Sequence, residues 1–165
     1  MAMTEEEIQE TLASLWKGTY QVGVVVADIE RATAFYERVG IGPFTEGPST
    51  EARNRRVHGR PATDVEVRGR LARMGPIEFE LLQPVSGASF QAEFLERHGE
   101  GVVHLCAYVD DIERGTEALE ARGFPVVSSG EFDDGGKFAY FDTTAVGGLV
   151  LELFQDPAHP VEGSA

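Results

Sequence analysis

The chain has 165 residues, 42% of them hydrophobic and 25% charged, and a formal net charge of −14. That length and mixture suit one soluble domain with a proper core. The acidic excess argues against nucleic acid and anionic membrane surfaces as partners, and no apolar run approaches the roughly 18–20 residues that span a bilayer.

Residues 1–16 carry Glu5, Glu6 and Glu7, the wrong charge for a signal or transit peptide. Ile8, Leu12, Leu15 and Trp16 give this segment an amphipathic helical pattern. Residues 1–18 are therefore expected to be an N-terminal helical extension. Cys106 is the single cysteine, so no intrachain disulfide forms and a cytoplasmic setting is expected.

A β-rich run follows at 20–26, then Asp28 at an N-cap position. Ile29, Ala32, Phe35, Tyr36 and Val39 recur at helical spacing, and Gly40 is placed to end the helix in the left-handed conformation. Next comes an arginine-rich stretch. Arg53, Arg55, Arg56, Arg60, Arg68, Arg70 and Arg73 are seven of the fourteen Lys and Arg residues. A solvated loop and strand edge explains such a run. So does an anchor for an anionic substrate, because Arg takes carboxylate and phosphate bidentately. Strands are predicted over 63–74 and 77–83. A linker helix is expected at about 89–98, running 90–98 after the cap Ser89 and stopping at Gly99–Gly101. A second β-rich run lies at 103–109, with Asp111 as cap and Ile112, Thr116 and Leu119 at helical spacing before Gly123. Further strands are predicted over 138–142 and 149–154, and 156–165 reads as a frayed tail.

Residues 21–41 align without gaps on 104–124, with eight identities in 21 positions, among them an unbroken Asp-Ile-Glu-Arg. Downstream, Glu80-Leu81-Leu82-Gln83 resembles Glu152-Leu153-Phe154-Gln155. A unit of about 80 residues occurring twice is a duplicated domain. The expected fold is α+β: two βαβββ units, about 19–84 and 102–155, within one domain at 19–155. Together they form a curved mixed sheet with helices on its outer face.

Strand alternation puts Val22, Val24 and Val26 on the helix side and Gln21 on the other. It puts Leu105, Ala107 and Val109 on the helix side and His104 on the other. Near the end of each half Leu81 flanks Glu80, and Leu151 and Leu153 flank Glu152, in the last strand. A pseudo-twofold axis would bring Gln21, Glu80, His104 and Glu152 together. Two carboxylates, an amide oxygen and an imidazole suit Zn²⁺, Mn²⁺, Co²⁺, Ni²⁺ or Fe²⁺. Taken singly, each has a plainer reading, as a satisfied core histidine or a glutamate on a solvated face. A glutamate flanked by apolar residues in both halves is otherwise costly to bury.

The segment VGVVVADIERATAFYERVGIGPF resembles the opening of glyoxalase and methylmalonyl-CoA epimerase domains of the vicinal oxygen chelate superfamily. FELLQP, SFQAEFLERHGEGVVHLCAYVDDIE, LEARGFPVV and GGLVLELFQ resemble successive epimerase blocks, so the likeness runs from about Thr19 to Gln155. It implies one divalent metal ligand at each of Gln21, Glu80, His104 and Glu152. Most epimerase and dioxygenase relatives have His where Gln21 stands, and glutamine there resembles zinc-type glyoxalase I. A ring-cleaving dioxygenase uses two histidines and a carboxylate, which disfavours that reading.

The resemblance implies proton transfer next to a carbonyl. The metal would stabilise an enolate or enediolate, and a carboxylate, Glu80 or Glu152, would carry the proton. In the epimerase a second base lies on a strand of the first half, where Glu66 is the nearest match and Asp64 the next. Arg53, Arg55, Arg56 and Tyr140 are candidates to bind substrate, a CoA thioester or glutathione adduct on this analogy. A homodimer is expected on the same ground. A metal-free binding module of the same fold, such as those that sequester antibiotics, is the competing reading. Cys106 shares the His104 face and reads as filler. His58, His98 and His159 fall in loop, helix-end and tail contexts and are not expected to be ligands.

Overall fold

The computed structural model describes residues 2–47 and 52–161. The chain opens with α1 (Glu5–Leu15), then β1 (Thr19–Val25), α2 (Ile29–Arg38), β2 (Thr45–Glu46), β3 (Arg53–Val57) and β4 (Arg60–Pro61). There follow β5 (Glu66–Met74), β6 (Ile77–Ser86), α3 (Phe90–His98), β7 (Gly101–Tyr108), α4 (Ile112–Ala121), β8 (Val126–Glu131), β9 (Lys137–Phe141) and β10 (Val150–Gln155). All ten strands form one sheet in the order β2-β5-β6-β1-β7-β10-β9-β8-β3-β4. The α+β fold expected from the repeat is the fold observed.

The duplication is visible in side-chain detail. Asp28 accepts from the Arg31 N–H and Asp111 from the Arg114 N–H, at 2.9 and 2.8 Å. Gly40 and Gly123 end the helices at φ 90 and 85, a conformation that penalises any Cβ. The repeated glutamine at the end of each half's last strand has a structural task. Gln83 Oε1 accepts from Ile29 N at 3.0 Å and Gln155 Oε1 from Ile112 N at 2.8 Å. Each satisfies an orphan donor of a helix start.

Three apolar clusters organise the layers. Val24, Val26, Ile29, Ala32, Phe79 and Leu81 bury α2 against the outer face of the first half. Leu15, Ile112, Leu119, Phe141 and Leu153 do the same for α4, with α1 added. The third cluster joins Val65 and Val67 near one end of the sheet to Val57, Phe138 and Tyr140 near the other. Those strands are far apart in the sheet order, so the sheet curls to bring them face to face. Phe90 of α3 enters the same cluster.

Within the expected N-terminal extension Glu5–Leu15 form a helix, and it docks closely. Gly115 of α4 lets Leu15 approach, since a Cβ there would stand 3.1 Å from Leu15 Cδ2. Leu15 is buried, and Leu15→Ala should cost about 2–4 kcal/mol of stability, measured by urea unfolding of the whole chain.

The predicted strands are present, with β5 starting three residues later than expected and β6 running on to Ser86. β2, β3, β4 and β8 were not predicted. The β3–β4 hairpin, first-half in sequence, pairs with β8 of the second half. The tail differs from a frayed one over 156–161. His159 contacts Asp156 at 2.6 Å and its ring stacks on Tyr108, while Val161 N–H donates to Asp110 at 2.8 Å. The remainder, 162–165, lies outside the described residues. Among the described residues no helix is long and apolar enough to cross a membrane.

Candidate functional site

At the centre of the sheet β1 and β7 run antiparallel, with Gln21 opposite Cys106 and Gly23 opposite His104. These are repeat-related pairs, so the pseudo-twofold passes between them. β6 lies parallel to β1 and β10 parallel to β7, which sets Glu80 beside Gly23 and Glu152 beside Cys106. The four residues that strand alternation placed on one face meet there.

They meet at one atom. His104 Nε2 stands 3.0 Å from Gln21 Oε1, 3.2 Å from Glu152 Oε2 and 3.3 Å from Glu80 Oε2. All four side chains are buried: Gln21 is 7% exposed, Glu80 8%, His104 0% and Glu152 4%. Glu152 Oε2 and His104 Nδ1 have no hydrogen-bond partner. The imidazole lies directly over Gly23, where a Cβ would fall 2.0 Å from Cε1. Its edge meets Tyr140 at 5.3 Å between centroids.

The electrostatics follow from burial. Glu152 is pushed up to about 7, first by loss of water and then by the negative Glu80, with His104 opposing. Burial disfavours a charged His104, but Glu152 and Glu80 outweigh it and hold its pKa above the ordinary value. Burial raises the Cys106 thiol and the Tyr140 hydroxyl well above their usual ranges.

Among the described residues no group of three or more His, Cys, Asp and Glu side chains is arranged as a metal-holding cluster. Here one of the four donors is an amide, and the others close on the imidazole nitrogen. Donors sharing an ion with bonds near 2.0–2.2 Å lie about 2.9–3.4 Å apart, at right-angled or tetrahedral spacing. The three contacts to Nε2 fall in that range. Once deprotonated, the two buried carboxylates and the imidazole carry a net negative charge that a divalent cation would neutralise. The donor types suit a divalent metal, and the three contacts to Nε2 are as short as a shared ion would require.

A cavity of about 240 Å³ opens beside the cluster, lined by Gln21, Glu80 and Glu152 together with Tyr20, Arg55 and Tyr140. Tyr20 stacks on Tyr108 at 3.7 Å to form part of the wall. Tyr140 sits in the inner core rather than at the mouth, against Phe90 and the His104 edge.

The arginine stretch divides. Among the described residues Arg55 is the only Lys or Arg lining this cavity, and its guanidinium lies 5.3 Å over the Phe138 ring. Its Nε is buried without a partner, and burial lowers its pKa. Arg53 pairs with Asp133 in solvent and Arg56 donates to the Gly59 carbonyl. Arg68 and Arg70 reach Glu30 of α2 on the outer face, as Lys137 reaches Glu113 of α4 in the other half.

Glu66 is exposed and does not line the cavity. Val65, just before β5, and Val67 within it are both buried in the inner cluster, and the Glu66 between them is left exposed. Glu78 was missed. It lines the cavity and accepts from Gln21 Nε2 at 2.7 Å. The signal was present, because Glu78 and Glu80 share a strand face two residues apart.

The architecture is that of a paired βαβββ protein with one central site shared by its halves. The chain belongs to the glyoxalase, bleomycin resistance protein and dioxygenase superfamily, whose model matches residues 20–141. Among curated proteins none matches it in sequence. Solved structures with the same fold include methylmalonyl-CoA epimerase from Mycobacterium tuberculosis, at 21% identity, TM-score 0.62, covering 87% of this chain and 88% of that one. A methylmalonyl-CoA epimerase in complex with methylmalonyl-CoA gives 19% identity and TM-score 0.64, covering 85% and 94%. A Streptomyces coelicolor methylmalonyl-CoA epimerase variant in complex with 2-nitronate-propionyl-CoA gives 18% and 0.65, covering 87% and 96%.

Proposed function

We propose that this chain is a divalent-metal-dependent epimerase, isomerase or lyase that moves a proton next to a carbonyl. The observation that carries the reading is the convergence of Gln21, Glu80 and Glu152 on His104 Nε2 at 3.0–3.3 Å, beside a cavity. Gln21, Glu80, His104 and Glu152 would hold the ion (Zn²⁺, Co²⁺, Mn²⁺, Ni²⁺ or Fe²⁺), which supplies Lewis acidity toward a substrate oxygen when bound. Glu80 and Glu152 line the cavity beside His104, with Glu78, Asp134 and Asp156 elsewhere on its wall, and are the carboxylates we assign to a substrate C–H. One of them accepts the proton on a carboxylate oxygen and returns it to carbon. Tyr20, Tyr108 and Tyr140 border the cavity and limit water there. Among the described residues Arg55 is the one Lys or Arg facing it and would hold an anionic group of the substrate.

A volume of about 240 Å³ is below the roughly 300–1,000 Å³ of pockets that enclose whole drug-sized ligands. It suits the reacting head of a substrate, with any CoA or glutathione portion lying outside. On the same reading the protein is a cytoplasmic homodimer, and sedimentation at low concentration tests the dimer.

The test is incubation in D₂O with 2-substituted acyl-CoA and hemithioacetal substrates, with and without added metal. Deuterium should enter the acidic carbon only when metal is present. Glu80→Gln or Glu152→Gln should slow incorporation by about 10²–10⁴. Tight binding without exchange would favour the sequestering module, and a requirement for O₂ would favour an oxygenase.

A further inference from the structure

Resting on the metal reading above, we infer that Glu78 is a positioning residue that fixes which end of the Gln21 amide faces the cluster. An amide ligand differs from a carboxylate in one respect: half of it is a donor. Turned by 180°, Gln21 would aim an NH₂ group at the site, where it repels a cation and cannot coordinate it. Nothing in the Gln21 side chain itself prefers one orientation. The decision comes from its neighbours.

Two contacts make it. Gln21 Nε2 donates to Glu78 Oε1 at 2.7 Å, and Gln21 Oε1 stands 3.0 Å from His104 Nε2. A carboxylate only accepts, so Glu78 holds the NH₂ end on its own side and leaves the carbonyl oxygen directed at the centre. The register explains why Glu78 can reach. It lies directly opposite Gln21 in the parallel β1–β6 pair. It also shares the strand face of Glu80, two residues on. β6 thus supplies one carboxylate to the centre and a second to the amide beside it. In the other half the position beside His104 is Val150. Val150 offers no acceptor side chain, and the Nδ1 end of the His104 ring is buried without a hydrogen-bond partner. Hydrogen bonding of the amide N–H to a carboxylate also places more electron density on Oε1, which strengthens it as a donor.

The experiment is a Co²⁺ titration of metal-free protein, followed by calorimetry and visible absorption. Glu78→Gln and Glu78→Leu both remove the charge, but only the glutamine retains an acceptor for Gln21 Nε2. Affinity should stay within about threefold of wild type for Glu78→Gln and fall about 10–100-fold for Glu78→Leu, the usual cost of losing an outer-shell partner. Gln21→Glu has oxygen at both ends, so adding Glu78→Leu to it should cost no more than about threefold. Equal losses in Glu78→Gln and Glu78→Leu would show a charge effect alone and overturn the positioning role. So would an unchanged Glu78→Leu, or a full 10–100-fold loss on adding it to Gln21→Glu. Failure of the wild type to bind Co²⁺ would overturn the metal reading itself.

Discussion

His104→Ala protein should take up no stoichiometric divalent ion, a loss in affinity of at least about a thousandfold. Metal analysis after reconstitution and calorimetry check this. The reason is geometric: Nε2 is the atom on which Gln21, Glu80 and Glu152 converge. Its removal takes the one nitrogen donor and the one positive partner of two buried carboxylates. Stranding a buried charge in this way also costs the metal-free fold about 3–5 kcal/mol, so the unfolding midpoint of the variant should fall as well.

The pH dependence of wild-type uptake follows from the same groups. Metal binds the deprotonated ligands. Glu152 rises from an ordinary 4.5 to about 7 and His104 also stands above its ordinary value. Both therefore hold protons to higher pH than free side chains do, and affinity should climb from about pH 5 to 8. The metal-free fold shows the complementary trend. A group whose pKa is raised in the native state keeps a proton that the unfolded chain has lost. Its contribution is complete below the unfolded pKa and is lost as pH rises through the folded one. The gain in Tm on adding metal should thus grow between pH 5 and pH 8. A gain that shrank over that range would contradict it.

Gly23→Ala should weaken metal uptake sharply without replacing a ligand. The added Cβ would lie 2.0 Å from His104 Cε1, 2.4 Å from Nδ1 and 2.6 Å from Nε2. The imidazole is fully buried between β1 and Tyr140, so it cannot swing aside without opening the inner core. Overpacking of this kind costs about 1–3 kcal/mol of stability, and the displaced nitrogen leaves the three oxygens without their centre. Expected results are a folded protein by circular dichroism, a lowered unfolding midpoint, and Co²⁺ affinity weakened more than about a hundredfold. Retention of wild-type affinity would mean that the ring has another position from which to bind.

Much of this could be read from the chain because its determinants are local. Asp28 and Asp111 cap helices through neighbours three residues away, and Gly40 and Gly123 end them by a backbone conformation that few residues tolerate. The period-two pattern around Gln21, His104, Glu80 and Glu152 assigned all four to one face. The repeat then required that face to be shared. The same alternation was available at Val65-Glu66-Val67, where two inward valines send Glu66 outward. The family analogy pulled the other way there.

Only the tertiary structure decided the rest, because it depends on groups that meet across long separations. The β3–β4 hairpin is short and arginine-rich, with no apolar alternation to announce it. It becomes strand only by pairing with β8, more than 70 residues later. The arginines look like one anchor in sequence, yet curling of the sheet sends Arg55 to the inner cavity and Arg68 and Arg70 to Glu30 outside. Gly23 reads as an ordinary strand glycine until His104 lies over it from the neighbouring strand. Glu78 gains its task only from the β1–β6 register, which sets its carboxylate against the NH₂ end of the Gln21 amide. Local rules choose elements and faces. Which side chains touch is set by register and curvature, which a single strand does not encode.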